Sequence, residues 1–216
     1  MRTLKTEGIV LKRRNFGEAD RIVTVFTLQK GKISVLAKGV RRITSRRAGN
    51  VELLNRVSMY LFLGKGMPIL TEAEGLETYQ KLKEDLTLST YAFHIIELID
   101  KMTAEDQENR ILYQHLLEVL RKLSTNPRQI LIRAFEVKIL SDLGFVSFQD
   151  TKPGLSTKVQ TGFVHSLLKD LETNKWDKIE KMVVKEKEAL ELERVLRYHL
   201  ERVIEGKLKS RRFLNL

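Results

Sequence analysis

The residues best suited to chemistry in this sequence are cations gathered in one short segment, residues 38–49, which we call the basic loop. Within twelve positions it holds two glycines, a serine, a threonine and five cations: Lys38, Arg41, Arg42, Arg46 and Arg47. Arginine forks hold phosphate oxygens bidentately, and glycine lets a loop approach another backbone closely. A merely solvated loop is the alternative. Because no Asp or Glu lies between Lys32 and Asn50, phosphate binding is favoured.

The charge excess of the chain lies entirely in its first third. The 216 residues include 39 Lys or Arg and 28 Asp or Glu, a formal charge of +11. Residues 1–70 hold 15 of those cations and 4 of the acids, so residues 71–216 are balanced. Nucleic-acid phosphates are the commonest partners of such a field, ahead of anionic lipid. We therefore expect nucleic acid and no membrane as partner, with further contacts from neighbouring turns: Arg13, Arg14, Lys32 and Lys65.

Motifs for catalysis or metal binding are missing from the sequence. The chain has no cysteine, which excludes disulfides, thiolate zinc sites and cysteine nucleophiles and is typical of a cytosolic protein. The four histidines lie in separate segments without metal-type spacing: His94, His115, His165 and His199. Glu18 and Asp20 beside a turn are better explained by pairing with Arg21 than by acid–base chemistry. We predict no catalytic residue, metal or cofactor; a hydrolase or transferase with an unrecognised helical site is the alternative.

Apolar segments are too short for a membrane span. The longest run, residues 59–63, has five residues, whereas a bilayer needs roughly 18. The first six residues already carry charge, so no signal peptide is expected. These features, like the absence of cysteine, predict a cytoplasmic location.

The first 77 residues are predicted to form five short strands separated by turns. The expected strands are residues 6–13, 21–28, 33–37, 58–63 and 67–74. This pattern indicates a small β-barrel of the oligonucleotide-binding (OB) type or an SH3-like barrel. Phe16 lies in a turn and is the better candidate for base stacking. Tyr60 and Phe62 are expected to pack in the barrel core instead.

Residues 78–216 change to a helical period and complete an α+β fold of two domains, 1–77 and 78–216. Two helices are predicted from apolar faces over residues 88–102 and 112–123. Asn126 and Pro127 are expected to open a third helix that Gly144 closes. A loop over 145–162, a short helix over 163–171 and a long helix over 189–203 follow. The basic tail, residues 207–214, either frays or docks onto another element.

Short motifs along the chain, taken together and in order, resemble the RecO family of recombinational DNA-repair mediators. The first motifs are residues 7–11, 17–22, 27, 31 and 37–41, and the later ones are residues 133–136, 143–145 and 208–211. This resemblance implies an N-terminal OB-fold, a helical C-terminal domain and a role that is not enzymatic. It also implies that the basic loop supplies the DNA surface, through Lys38, Arg41 and Arg42 and the nearby Arg46 and Arg47.

The family resemblance further implies an activity and a set of partners. The activity is binding of single- and double-stranded DNA, annealing of complementary strands, and help in loading the RecA recombinase. The DNA for loading is coated with single-stranded DNA-binding protein (SSB), and RecR takes part. In some members, a basic residue before a Phe-Glu pair contacts the acidic C-terminal tail of SSB, and Arg133 matches it. A surface arginine paired with a helix carboxylate is an equal alternative for Arg133.

One departure from the family concerns zinc. Many members place a four-cysteine zinc site between the third helix and the last helices. Residues 146–161 contain neither Cys nor His, so we expect a cysteine-free loop region around 145–162 and no metal. A sequence-tolerant RNA-binding OB-fold protein is the alternative function, because the basic loop would serve RNA equally well.

Overall fold

We describe the protein from a computed structural model, which describes residues 2–149 and 162–204 together with Leu208 and Ser210. The strands are β1 Arg2–Phe16, β2 Asp20–Thr27, β3 Gly31–Ala37, β4 Arg56–Leu63 and β5 Ile69–Glu77. The helices are α1 Gln80–Glu84, α2 Leu86–Met102, α3 Arg110–Thr125, α4 Gln129–Asp142, α5 Gly162–Thr173, α6 Trp176–Glu180 and α7 Glu186–Ile204. The chain divides into a first unit, Met1–Glu84 with Ile99–Tyr113, and a second unit, Asp85–Leu98 with Gln114–Leu216.

The five strands of the first unit close into a barrel in the order β1-β2-β3-β5-β4. Neighbouring strands are antiparallel except β3 and β5, which pair in parallel at Leu36 and Ile69. A five-stranded barrel in which the last strand inserts between the third and fourth is the OB-fold arrangement. The predicted OB-fold and the α+β class are therefore confirmed, and the SH3-like alternative is not.

The side chains of β4 alternate between the barrel interior and its outer face. Val57, Met59 and Leu61 are fully buried in the barrel core. Because successive strand residues point to opposite faces, Tyr60 and Phe62 lie on the outer face. Tyr60 is 40% exposed and its ring lies 5.0 Å from Lys5 Nζ. The prediction that these two aromatic side chains fill the core was wrong.

Residues 99–113 belong to the first unit because they contact β1 and β3 directly. Asp106 N–H donates to the carbonyl of Lys32 at 2.9 Å. Tyr113 Oη donates to Glu7 Oε1 at 3.2 Å. Gly31, at the start of β3, has a φ of +62° beside the backbone of Gln107, a left-handed conformation that favours glycine. This segment therefore covers one side of the barrel and buries the side chains beneath it.

The second unit is built around α4, whose residues 130–132 and 134–140 are all buried. The start of this helix differs from the prediction. Asn126 directly follows α3 and its N–H still donates to the carbonyl of Lys122 in that helix, whereas Arg128 is the N-cap of α4. Gly144 ends α4 as predicted: its φ is +74°, and Phe145 N–H donates back to the carbonyl of Leu140 at 2.9 Å.

The structure describes only some of the other segments that were predicted for the second unit. The short helix predicted over 163–171 is α5, and the long helix predicted over 189–203 is α7. Most of the predicted loop region, residues 150–161, lies outside the described residues. Of the basic tail, only Leu208 and Ser210 are described, and both are buried. Within the described part of the chain, no helix combines the length and the apolar composition needed to cross a bilayer.

Candidate nucleic-acid interface

The basic loop has a defined shape because hydrogen bonds hold it to the strands around it. Gly39 N–H donates to Asp20 Oδ1 at 2.7 Å, and Arg41 N–H donates to the carbonyl of Ala19 at 2.9 Å. Val40 is fully buried and anchors the start of the loop in the barrel core. The basic loop is thereby fixed beside the β1–β2 turn at one end of the barrel.

Arg47 fastens the other side of the basic loop. Its Nη1 donates to the carbonyls of Leu70 at 2.7 Å and Thr71 at 3.2 Å, and its Nη2 donates to the carbonyl of Lys38 at 2.8 Å. Three carbonyl oxygens occupy most of the guanidinium fork, which has no acceptor of its own. Arg47 therefore shapes the loop rather than offering a free fork to a ligand.

The other four cations of the basic loop are exposed and form no ion pair with a described residue. Lys38, Arg42 and Arg46 line a depression of about 500 Å³ on the barrel surface. The side chain of Arg41 donates to the carbonyl of Gly17 at 3.3 Å and to no other described residue. An unpaired guanidinium or ammonium group in water keeps its full charge available to a phosphate. These four side chains, which we call the free cations, are the part of the predicted DNA-binding set that the structure brings together.

The remaining cations predicted to bind DNA divide into exposed and engaged groups. Arg14 at the end of β1 and Lys65 in the β4–β5 connection are exposed, with no ion pair to any described residue. Arg13 instead forms an ion pair with Glu52. Arg21 also faces Glu52, at 3.5 Å, so its predicted pairing with Glu18 or Asp20 was wrong. A cation that is already paired with a carboxylate attracts a phosphate less strongly than an unpaired cation.

Lys32 differs from the other predicted cations because it is buried. Its Nζ donates to the carbonyl of Asp100 and lies 3.9 Å from Asp100 Oδ1. Burial lowers the pKa of Lys32, although the charges of Asp100 and Glu105 oppose this effect. Since its ammonium group is turned into the contact between β3 and residues 99–106, we leave Lys32 out of the proposed surface.

Two apolar side chains lie exposed among the free cations. Phe16, the predicted stacking residue, is 50% exposed at the end of β1, opposite Asp20 in the strand pairing. Ile43 is fully exposed near the tip of the basic loop, between Arg42 and Arg46. Ile43 was not predicted as a site residue from the sequence, although an apolar side chain between Arg42 and Arg46 is a visible signal. The candidate interface thus offers both positive charge and apolar contacts.

Arg133 lies in a different place, in the wall of a groove in the second unit. The groove has a volume of about 450 Å³, runs between α4 and α7, and has apolar walls that include Ile130, Met182 and Leu190. Arg133 Nη1 binds Glu136 at 2.9 and 3.0 Å, and Nη2 lies 3.5 Å from Glu193. The guanidinium therefore lies beside an apolar groove and is also paired with helix carboxylates, so both interpretations of Arg133 describe part of its surroundings.

Arg128 lines the same groove and was not singled out from the sequence. Its guanidinium donates to the carbonyl of Glu180 and, at 2.7 Å, to that of Met182. It has no carboxylate partner among the described residues. In contrast to Arg133, the guanidinium of Arg128 is held by two backbone carbonyls and by no described carboxylate, although Glu186 and Glu193 also line the groove.

A buried polar network connects Arg133 to the interior of the second unit. Glu136 and His94 are both fully buried, and His94 Nε2 lies 2.8 Å from Glu136 Oε1. The other ring nitrogen lies 3.0 Å from Ser210 Oγ, so His94 is a satisfied core histidine, as expected. Burial alone would raise the pKa of Glu136, but Arg133 and His94 outweigh it and lower that pKa to about 2. The carboxylate therefore stays ionised and holds Arg133 in place.

His115 belongs to a separate polar contact in the second unit. Its Nδ1 accepts a hydrogen bond from Trp176 Nε1 at 3.1 Å. Burial lowers the pKa of His115 to about 4, with a smaller contribution from the charge of Lys138. Among the described residues, no three His, Cys, Asp or Glu side chains converge as metal ligands. Since the chain also lacks cysteine, its residues do not fit a four-cysteine zinc site.

Comparison with known proteins finds two family models that match consecutive parts of the chain. The model for the N-terminal part of recombination protein O matches residues 1–79, and the model for its C-terminal part matches residues 83–147. The DNA repair protein RecO of Acetivibrio thermocellus is 40% identical over 147 residues, which cover 67% of this chain and 59% of that protein. The RecO proteins of Pelotomaculum thermopropionicum and Symbiobacterium thermophilum are 37% and 36% identical, covering 67% and 75% of this chain.

These matches extend over only part of the relatives. The aligned regions cover 57% of the Pelotomaculum protein and 62% of the Symbiobacterium protein. The chain therefore matches less than two thirds of the length of these relatives. Both family models fall on residues 1–147, which include the OB-fold, the basic loop and Arg133.

Proposed function

Because this chain belongs to the RecO family of DNA repair proteins, we propose that it is a DNA-repair mediator that works by binding DNA rather than by catalysis. In this proposal it binds single- and double-stranded DNA and anneals complementary strands. With RecR, it helps to load RecA onto SSB-coated DNA in the bacterial cytosol. One observation supports it most: the four free cations lie exposed on one fixed loop of an OB-fold.

Charge neutralisation links this surface to annealing. Two single strands repel each other through their phosphates, and bound protein cations lower that repulsion by neutralising phosphate charge. Four free cations on one loop place this effect at a single surface of the barrel. None of the four forms an ion pair with a described Asp or Glu. Binding a phosphate therefore breaks no ion pair among the described residues.

The test of DNA binding uses the salt dependence of affinity. Each single-strand phosphate contact contributes about 0.7 to the slope of log affinity against log salt concentration. Replacing Arg42 and Arg46 with Ala therefore lowers the slope by about 1.4 and lowers the affinity at low salt. The measurement is fluorescence anisotropy of a labelled oligonucleotide across a salt series, followed by annealing of complementary strands.

The control is Lys32→Met, which removes one cation of the first unit that lies outside the proposed surface. Because Lys32 is buried against Asp100, its loss leaves the salt slope unchanged. An unchanged slope in the Arg42→Ala/Arg46→Ala double variant would show that the proposed surface is wrong. Tighter binding of an RNA strand than of the matched DNA strand would favour the RNA-binding function instead.

We further propose that the groove beside Arg133 takes the C-terminal tail of SSB. Its apolar walls suit an apolar terminal side chain, and a guanidinium suits the terminal carboxylate. Because Arg128 forms no ion pair with a described carboxylate, Arg128→Ala weakens the affinity of an SSB tail peptide alone. Arg133→Ala weakens both peptide affinity and stability, since Arg133 is paired with Glu136. The assay is peptide anisotropy, with thermal unfolding of each variant as the check on folding. Equal affinity in wild type and both variants would refute the groove as the tail site.

A further inference from the structure

We propose that Ile43 is an apolar wedge that inserts between the bases of bound DNA. This inference rests on the proposed DNA binding and concerns how the bases themselves are contacted. The side chain of Ile43 is fully exposed, while Val40, three residues earlier in the basic loop, is fully buried. Water therefore surrounds a β-branched aliphatic group on the one surface of the first unit where four free cations meet.

The basic loop holds Ile43 in a fixed position rather than leaving it to move freely. Arg42 N–H donates to the carbonyl of Gly39 at 3.2 Å, and Ser45 N–H donates to the carbonyl of Arg42 at 2.9 Å. The first turn, residues 39–42, ends directly before Ile43, and the second, residues 42–45, contains it. Arg47 then fastens the far side of the loop through three carbonyl oxygens. A side chain held by its backbone loses little conformational entropy when it inserts.

The residues around Ile43 indicate that its side chain contacts nucleic-acid bases. Phosphates bound by Arg42 and Arg46 would place the adjoining bases next to the side chain between those residues. Proteins that bend or unstack DNA insert Ile, Leu, Met or Phe between base steps while cations hold the backbone. Phe16 is a second exposed apolar side chain, at the end of β1 next to Gly17, whose carbonyl accepts a hydrogen bond from the Arg41 side chain. Such contacts are tolerant of sequence because every base offers an apolar face.

The test separates base contact from phosphate contact. Ile43→Ala lowers the affinity for single-stranded DNA about fivefold but leaves the salt slope unchanged, because no phosphate contact is lost. Arg42→Ala instead lowers both the affinity and the slope. Ile43→Leu keeps an aliphatic wedge and restores most of the affinity. Val183→Ala is the matched control, since Val183 is an exposed aliphatic side chain of the second unit.

A direct readout comes from 2-aminopurine placed in the oligonucleotide, whose fluorescence rises when its neighbours unstack. The wild-type chain is expected to raise this fluorescence, and Ile43→Ala to lose most of the rise at saturating protein. If wild type binds DNA and Ile43→Ala matches it in both affinity and fluorescence, the wedge is refuted while DNA binding stands. If the wild-type chain does not bind DNA at all, both proposals fail together.

Discussion

Replacing Glu136 with Gln tests the buried network that holds Arg133. The carboxylate is fully buried, binds Arg133 at 2.9 and 3.0 Å, and lies 2.8 Å from His94 Nε2. Lowering the pKa of Glu136 from its ordinary 4.5 to about 2 corresponds to about 3 kcal/mol of stability at neutral pH. Breaking a buried ion pair by removing one partner costs about 3–5 kcal/mol, which agrees. We therefore expect Glu136→Gln to lose about 3 kcal/mol of unfolding free energy.

The pH dependence of this loss has a definite sign. A carboxyl group whose pKa is lower in the folded state stabilises the fold above its unfolded pKa of 4.5. That contribution disappears as the pH falls from 4.5 toward 2, because the proton then binds in both states. The difference in stability between wild type and Glu136→Gln is accordingly largest at neutral pH and falls to about half near pH 3.

The assay is urea unfolding followed by tryptophan fluorescence. Trp176 is the single tryptophan of the chain, is buried, and belongs to the second unit, so its emission reports the unit that contains Glu136. Asp177→Asn is the matched control, because it also turns a carboxylate into an amide. Asp177 forms an ion pair with Lys122, and the Asp177 side chain is 86% exposed. An exposed pair is worth about 0–1 kcal/mol. If Glu136→Gln loses no more stability than Asp177→Asn, the reasoning about the buried network is wrong.

Two further predictions concern glycine geometry and histidine burial. Gly31→Ala lowers stability by about 1–3 kcal/mol or more in thermal unfolding, since an added Cβ would lie 1.8 Å from the carbonyl oxygen of Gln107 at a φ of +62°. Gly17→Ala, also at positive φ but with no described atom within 4 Å of the added Cβ, costs about 1 kcal/mol or less and is its control. His115 stabilises the fold above its unfolded pKa of 6.5, and that contribution, up to about 3 kcal/mol, is lost as the pH falls to about 4. His115→Gln therefore shows a weaker loss of stability than wild type between pH 6.5 and 4; parallel curves from urea unfolding would contradict this.

The sequence by itself determined the features that depend on local patterns. Strand periodicity and turn residues predicted the five strands, because alternation along a strand reflects which face is buried. The helix end at Gly144 was predictable because a left-handed φ favours glycine. The basic loop was visible because its cations are consecutive or nearly so. The start of α4 was not predicted correctly: Asn126 and Pro127 resemble a helix start, but the backbone of Asn126 is hydrogen-bonded to the end of α3.

Only the tertiary structure decided which cations are free to bind a ligand. Lys32 and Lys38 look alike in the sequence, yet Lys32 contacts Asp100, 68 residues later, while Lys38 stays exposed. Arg47 differs from Arg46 in the same way, because carbonyls of β5 take up its guanidinium. The physical reason is that charge is a property of the residue, whereas desolvation and pairing depend on segments that only folding brings together.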